Sequence, residues 1–224
     1  MHYAIGDIHG HFRALDAILA QLRLGPNDRI TFLGDYIDYG PDSRAVLDCI
    51  LNLSGKVTVD TLIGNHEILL LGSIHDKDVE REWLRYGGDT TLHSFSVTKA
   101  TDIPSKYINM LSRCRRWVET DDYVFVHAGV NPGLPMPRQK DEDLFWRSGS
   151  EPILLPNGKT LISGHTPHTN IIAEPGYLAI DTGIARGGYL TCVELSTYTF
   201  IQSDVRGVIH AAEVPRQHAR MRAS

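Results

Sequence analysis

The chain has 224 residues, of which 42% are hydrophobic and 22% charged, and its formal net charge at pH 7 is -5. These values are typical of one globular domain with a substantial core, and the acidic balance gives no reason to expect nucleic-acid binding. The apolar runs are too short for a membrane span, and the amino terminus lacks a secretory pattern, so we expect a cytoplasmic protein that binds no membrane. Three widely spaced cysteines argue against a disulfide framework or a thiolate zinc site.

The first half of the chain predicts alternating strands and helices. Three apolar runs of strand length are each followed by a turn motif, and the segments between them have the apolar period of a helix. The turn motifs are Gly6-Asp7-Ile8-His9-Gly10, Gly34-Asp35-Tyr36-Ile37-Asp38-Tyr39-Gly40 and Gly64-Asn65-His66-Glu67. Because open α/β sheets bind ligands at the carboxyl edge of their strands, we expect the polar residues of these motifs to lie at such an edge.

Residues 76–112 predict a helical excursion that covers one side of the site. Residues 76–86 and 104–111 have helical patterns, and Gly87-Gly88 separates them. His75 and His93 follow no strand, so we interpret them as surface or packing histidines.

The second half of the chain predicts β structure with further polar motifs at strand ends. A hairpin over residues 116–126 leads to His127-Ala128-Gly129, and a strand over residues 160–163 leads to Gly164-His165-Thr166. A later strand ends at Asp181-Thr182-Gly183, and a closing hairpin follows. We therefore expect one catalytic domain over residues 1–205 and a loosely held tail over residues 206–224.

The strand ends share residue types that bind metal ions. They carry Asp7, His9, Asp35, Asn65, His66, His127 and His165. A mixed set of oxygen and nitrogen ligands suits manganese, iron or zinc rather than calcium. If the backbone of Asp7-Ile8-His9 stays extended, its two polar side chains point the same way and bind one ion. The two oxygens of Asp35 would then bridge that ion to a second one.

Two such ions point to displacement at phosphorus. A metal pair about 3.5 to 4 Å apart lowers the pKa of a bridging water towards about 7 and neutralises phosphoryl oxygens. We predict that His66 is the general acid for the departing oxygen and that Asp38 orients its imidazole and raises its pKa. Glu67 is interpreted either as a hydrogen-bond acceptor behind the site or as an acid that favours the first helical turn.

Taken in order, the motifs from Gly6 to Gly183 resemble those of the phosphoprotein phosphatase (PPP) family of binuclear metallophosphatases, in the style of bacterial and phage protein phosphatases and symmetrical diadenosine-tetraphosphate hydrolases. The resemblance implies an α/β, four-layer calcineurin-like metallophosphoesterase fold, with helices flanking a central β-sandwich. It also implies two divalent metal ions, with manganese expected and iron, zinc, nickel or cobalt as alternatives. Attack on phosphorus would be by a hydroxide that bridges the two metals.

The same resemblance assigns roles to individual residues. Asp7, His9 and Asp35 match the first metal site. The second metal site is matched by Asp35, Asn65, His127 and His165, and Asn65 is also a candidate for substrate binding. His66 and Asp38 match the acid and its partner.

One position departs from the family pattern. Tyr39 stands where the family has an arginine that binds the substrate phosphate, and a tyrosine donates one hydrogen bond without bringing a charge. We therefore predict weaker phosphate binding at Tyr39, or rescue by another arginine. Arg147 resembles the family's second phosphate arginine, although the spacing after Trp146 is one residue short. Arg186 ranks after Arg147 as a substitute.

Three functions remain open from the sequence. The first is a protein phosphatase for phosphoserine and phosphothreonine, with phosphotyrosine as a further substrate. The second is a bis(5'-nucleosyl)-tetraphosphatase or another hydrolase of small phosphate esters, for which a deep pocket closed by residues 76–111 would be the discriminating feature. The third is a non-catalytic pseudophosphatase that binds phosphoproteins, which Tyr39 suggests and the complete set of metal ligands disfavours.

Overall fold

A computed structural model describes residues 1–149 and 151–211. Its strands form one six-stranded and one five-stranded sheet. The strands are β1 (His2–Ile5), β2 (Arg29–Phe32), β3 (Thr58–Thr61), β4 (Trp117–Glu119), β5 (Tyr123–Val126), β6 (Thr160–Ser163), β7 (Ile172–Glu174), β8 (Tyr177–Ala179), β9 (Leu190–Glu194), β10 (Thr199–Ser203) and β11 (Ile209–Ala211). The helices are α1 (Phe12–Gln21), α2 (Ser43–Leu53), α3 (Asn65–Ser73), α4 (Lys77–Trp83), α5 (Asp89–Phe95), α6 (Ser105–Leu111) and α7 (Asp141–Trp146).

Each sheet contains three adjacent parallel strands. The first sheet has the order β11-β10-β9-β1-β2-β3, in which β1, β2 and β3 are parallel and β9 is antiparallel to β1. The second has the order β4-β5-β6-β8-β7, in which β5, β6 and β8 are parallel. The loops that follow six parallel strands are therefore available to build a site.

Alternation along the strands sorts the core into layers. In β5, Val124 and Val126 pack with Leu144 of α7 on the outer face, whereas Phe125 packs between the two sheets. In β1, Ala4 packs between the sheets, and the neighbouring residues face the helices on the other side. The arrangement is helix, sheet, sheet, helix, as predicted.

The segment between α3 and β4 is mainly helical, and its first regular helix ends a few residues before the Gly87-Gly88 separation that the sequence predicted. Helix α4 ends at Trp83, and a π-helical turn spans Leu84–Gly88. Within that turn Gly87 has φ of 91°, which ends regular helix geometry, and α5 begins at Asp89. The break brings Gly87 close to Tyr39, in the loop that follows β2.

Beyond the closing hairpin, the structure describes one more strand. Strand β11 pairs with β10, with Ser203 opposite Ile209, inside the segment predicted as a loose tail. The remainder of that predicted tail, residues 212–224, lies outside the described residues. Within the described chain, every helix falls short of the length and apolar content that a membrane span requires.

Candidate active site

The residues singled out at the strand ends converge on one cavity. His9, Asp35, Asn65, His66 and His165 all line it, and its volume is about 230 Å³. His127 lies directly behind this surface and is fully buried. The loops after β1, β2, β3, β5 and β6 therefore each deliver a polar side chain to the same place, as the motif pattern predicted.

Asp35 lies at the centre of two groups of possible metal ligands. Its Oδ2 atom is 3.5 Å from Nε2 of His9 and 4.0 Å from Nε2 of His66. Its Oδ1 atom is 3.5 Å from Nε2 of His127, and His165 completes the second group. Within each group the ligand atoms lie within 4.8 Å of one another. The carboxylate thus offers one oxygen to each group, which is the geometry that bridging requires.

Asn65 joins the second group through its side-chain oxygen. Its Oδ1 atom lies 2.9 Å from Nε2 of His127 and 3.0 Å from Nδ1 of His165. The other ring nitrogen of His127 is 2.9 Å from the carbonyl oxygen of Leu33, which fixes the orientation of the imidazole. One amide oxygen and two imidazole nitrogens therefore face a common point.

Asp7 lies beside these groups but belongs to neither. Its Oδ2 atom accepts a hydrogen bond of 2.9 Å from the backbone N–H of His165. The condition of an extended Asp7-Ile8-His9 backbone is not met, because His9 has φ of 46° and the chain turns there. The side-chain direction of His9 is set by a 3.1 Å contact between Nδ1 and the carbonyl oxygen of Ile37.

Several observations fit divalent cations at this place. The Oδ1 atom of Asp7 is buried and has no hydrogen-bond partner. Burial raises the pKa of both Asp7 and Asp35, and the charge of the nearby Asp7 carboxylate adds to the rise at Asp35. Burial and neighbouring imidazoles lower the pKa of His9 and His127 well below 6.5. Neutral imidazoles and crowded carboxylates together form a ligand set that a cation would stabilise.

Glu67 ties two of the loops together from behind. Its carboxylate accepts hydrogen bonds from the backbone N–H groups of Asp35 (2.8 Å), Tyr36 (2.8 Å) and Gly64 (2.9 Å), and the residue is completely buried. The interpretation of Glu67 as a hydrogen-bond acceptor is therefore correct. Gly64 must be small here, because a Cβ atom at that position would lie 2.1 Å from Oδ1 of Asp35.

The backbone at the site adopts an uncommon conformation. Seven non-glycine residues in the described part of the chain have positive φ. Five of the seven are site residues, namely His9, Asp35, Asp38, Tyr39 and His165. Such conformations persist where the surrounding hydrogen bonds and packing enforce them, and they cluster at functional sites.

His66 is held by a buried carboxylate. Its Nδ1 atom lies 2.7 Å from Oδ2 of Asp38, which leaves Nε2 on the side of the cavity. Asp38 also accepts hydrogen bonds from Thr91 Oγ1 (2.7 Å) and Trp83 Nε1 (3.0 Å). Burial raises the pKa of Asp38, and the donors on His66, Thr91 and Trp83 oppose that rise. Neither Trp83 nor Thr91 could be found from the strand-end motifs, since both come from the helical segment.

The rim of the cavity has a different character. We define the rim as Tyr39, Tyr86 and Arg186, and the floor as Asp35, Asn65, His66 and His127. Tyr39 and Tyr86 are 42% and 46% exposed, and the centroids of their rings lie 5.2 and 6.3 Å from that of the His66 ring. The π-helical turn explains how Tyr86, which the sequence reasoning missed, reaches the site.

The two candidate arginines occupy different places. Arg147 pairs with Asp143 through a 2.9 Å contact, and its stem packs near Gly129. It is absent from the described residues that line the cavity, whereas Arg186 is one of them. The role of Arg147 in phosphate binding stays a prediction that this placement does not support.

Relatives of the chain include two kinds of hydrolase. Serine/threonine-protein phosphatase 2 from Escherichia coli is 29% identical over 202 residues, which cover 84% of this chain and 90% of that protein. A symmetrical bis(5'-nucleosyl)-tetraphosphatase from Nitrosomonas europaea is 33% identical over 135 residues, which cover 58% of this chain. The chain spans less than half of that relative, since the match covers 45% of its length.

A solved structure shares the fold, and a family model matches most of the chain. The crystal structure of a putative diadenosine tetraphosphatase superposes with a TM-score of 0.71 and 20% identity, and the match covers 90% of this chain and 91% of the other. That likeness shows the fold. The model of the calcineurin-like phosphoesterases matches residues 3–204. The chain therefore belongs to the calcineurin-like phosphoesterase family, whose enzymes are metal-dependent hydrolases of the kind the PPP-like motifs indicate.

Proposed function

We propose that this protein hydrolyses phosphomonoesters on protein side chains, chiefly phosphoserine and phosphothreonine, with phosphotyrosine as a further substrate. The observation that carries the proposal is the position of the His66–Asp38 pair beside a carboxylate shared by two ligand groups. An acid for the leaving group and a place for two cations are the parts that phosphoester hydrolysis requires.

The metal ligands in this proposal are the residues that the motifs indicated. Asp7, His9 and Asp35 would hold one ion, with Asp7 in the place that His66 takes in the first ligand group, and Asp35, Asn65, His127 and His165 would hold the other. We propose manganese as the ion, because this mixed oxygen and nitrogen set suits it, and iron, zinc, nickel and cobalt are the alternatives. When bound, the ions supply a water nucleophile of lowered pKa and offset the charge of the phosphoryl oxygens.

The chain's own residues position the proton transfer. Asp38 accepts from Nδ1 of His66, so the Nε2–H of His66 is the proton donor that faces the cavity. As the bond between phosphorus and the leaving oxygen breaks, that proton passes to the leaving oxygen. Thr91 and Trp83 keep the Asp38 carboxylate fixed during the transfer.

The shape of the cavity supports a phosphorylated side chain over a dinucleotide. Its volume of about 230 Å³ is small beside the roughly 300 to 1,000 Å³ of pockets that enclose whole ligands. Of the described residues in the 76–111 segment, only Tyr86 lines it, so that segment does not close a deep pocket. A dinucleoside polyphosphatase is the second candidate, because a 33% identical relative carries that name.

A panel of substrates tests the proposal. Protein loaded with manganese would be assayed on phosphoserine, phosphothreonine and phosphotyrosine peptides, on p-nitrophenyl phosphate and on diadenosine tetraphosphate. We expect the highest kcat/KM on a phosphopeptide. A higher value for diadenosine tetraphosphate would replace the proposal with the second candidate. Phosphopeptide binding without turnover of any substrate would indicate a pseudophosphatase instead.

A further inference from the structure

The cavity has an unusual balance of charge. Two carboxylates, Asp35 and Asp181, line it together with three histidines. Among the described lining residues, Arg186 alone carries a permanent positive charge. Tyr39, on the same cavity wall, contributes a neutral hydroxyl. A phosphate dianion entering this cavity would therefore meet one fixed cation supplied by the chain.

We propose that the guanidinium of Arg186 is the phosphate-binding group of this site, supplied from the loop after β8 rather than from the loop after β2. The proposal rests on the proposed function for the identity of the substrate. It assigns to Arg186 the bidentate recognition for which Tyr39 lacks the donors and from which Arg147 is too far removed, since Arg147 does not line the cavity in the described structure. Arg186 is a substrate-binding residue in this scheme and takes no part in proton transfer.

The loop that carries Arg186 is held closed at its base. Ile184–Arg186 forms one 3₁₀ turn between Gly183 (φ 76°) and Gly187 (φ 83°). Behind the turn, the backbone N–H of Gly188 donates to the carbonyl of Gly183 (2.9 Å) and that of Tyr189 donates to the carbonyl of Thr182 (3.0 Å). The backbone of Arg186 is thus fixed at the cavity before any ligand binds, which lowers the entropy cost of binding.

The head group of Arg186 is available to a ligand. The residue is exposed, and among the described residues its guanidinium makes neither an ion pair nor a hydrogen bond. Its charge reaches the site, because it opposes the rise that burial causes in the pKa of Asp181 and of Tyr39. Arg147 differs in this respect, since Asp143 already neutralises it.

Replacing arginine with lysine tests whether the guanidinium shape, and not only its positive charge, binds phosphate. Two parallel N–H donors match two phosphate oxygens, whereas an ammonium group offers only a point charge. Arg186→Lys should therefore recover part of the affinity that Arg186→Ala loses. A residue that merely shaped the loop would not show this graded loss.

The experiment measures phosphate affinity and kinetics in the same proteins loaded with manganese. Isothermal titration calorimetry with inorganic phosphate, and kinetics with a phosphoserine peptide, would compare the native chain with Arg186→Ala and Arg186→Lys. Arg44→Ala is the matched control, since Arg44 is an exposed arginine on α2 that pairs with Asp48. We expect Arg186→Ala to raise the Kd for phosphate and KM by about 10-fold to 100-fold, the range of a charged hydrogen-bonded contact. The expected change in kcat is smaller, and the control should stay within about twofold.

An unchanged phosphate Kd in Arg186→Ala would overturn the assignment. A large rise in Arg147→Ala beside it would transfer the role to Arg147. Recovery of KM in the double variant Arg186→Ala, Tyr39→Arg would support the assignment to Arg186, because a charge returned to the same cavity would replace the lost contact. Calorimetry needs no turnover, so absence of phosphatase activity in the native chain would refute the proposed function without deciding the role of Arg186.

Discussion

The floor and the rim of the cavity differ in how their side chains are held. On the floor, His127 is fully buried and Asp35 is 2% exposed, and both are fixed by hydrogen bonds to backbone groups of other loops. On the rim, Tyr39 and Tyr86 are nearly half exposed, and the guanidinium of Arg186 has no partner among the described residues. From this difference we propose that the floor determines the chemistry, whereas the rim determines which phosphoester binds and how tightly.

The largest effect that this comparison predicts is on the floor, at His66. His66→Asn removes the proposed proton donor, so kcat should fall by about 10² to 10⁴ for alkyl phosphates. The loss should be smallest for p-nitrophenyl phosphate, whose leaving group needs little protonation. Metal content, measured by atomic emission on the purified variant, should match that of the native chain. Equal losses of kcat for alkyl phosphates and p-nitrophenyl phosphate would show that His66 is not the general acid.

A second prediction concerns stability and the Glu67 carboxylate, which ties together the loops that carry the floor. Glu67→Ala leaves three buried backbone N–H groups without their acceptor, and each unsatisfied donor costs about 1 to 3 kcal/mol. The free energy of unfolding in urea should therefore fall by about 3 kcal/mol or more. Glu82→Ala, at an exposed position on α4, is the matched control and should change stability by less than about 0.5 kcal/mol. Similar stability of the two variants would contradict this role of Glu67.

The third prediction tests the support behind His66. Thr91→Val keeps the shape of the side chain but removes the 2.7 Å hydrogen bond to Asp38. We expect kcat to fall about tenfold, the effect of about 1.5 kcal/mol, with KM and metal content unchanged. Steady-state kinetics with a phosphoserine peptide would measure kcat and KM. A change confined to KM would mean that Thr91 affects substrate binding instead.

The smallest effect belongs to the rim. Tyr86→Ala removes an exposed ring beside His66, so KM for an aryl phosphate should rise about threefold while kcat is retained. KM for an alkyl phosphate should change less, since that leaving group has no ring to pack against Tyr86. Leu84→Ala, an exposed residue of the same π-helical turn, is the control. If kcat of Tyr86→Ala fell as much as that of Thr91→Val, the proposed difference in role between rim and floor would be contradicted.

The same contrast explains what the sequence could reveal. Floor residues such as Asp35, Asn65 and His127 come within a few residues of strand ends, so apolar runs and turn motifs predicted that they converge, and the family resemblance of those motifs implied the layered fold. Trp83 and Thr91 could not be found in this way, because their contact with Asp38 depends on how the helical segment packs. Side-chain placement on the rim also depends on tertiary packing.

One unmet condition and one untested ranking show the limits of pattern reasoning. The extended backbone expected around His9 ignored the left-handed turn that the following Gly10 shares, with φ of 46° and 66° at the two residues. The ranking of Arg147 above Arg186 relied on a motif spacing, whereas the structure pairs Arg147 with Asp143 and puts Arg186 in the cavity wall. Spacing along the chain predicts strand ends well and predicts the direction of long side chains poorly.

The central claim is that two cations share the carboxylate of Asp35, and metal analysis of Asp35→Asn tests it most directly. We predict two equivalents of manganese per native chain after loading and desalting. In the variant we predict loss of at least one equivalent, together with loss of phosphatase activity. An Asp35→Asn protein that keeps two equivalents and the full rate of hydrolysis would contradict the account.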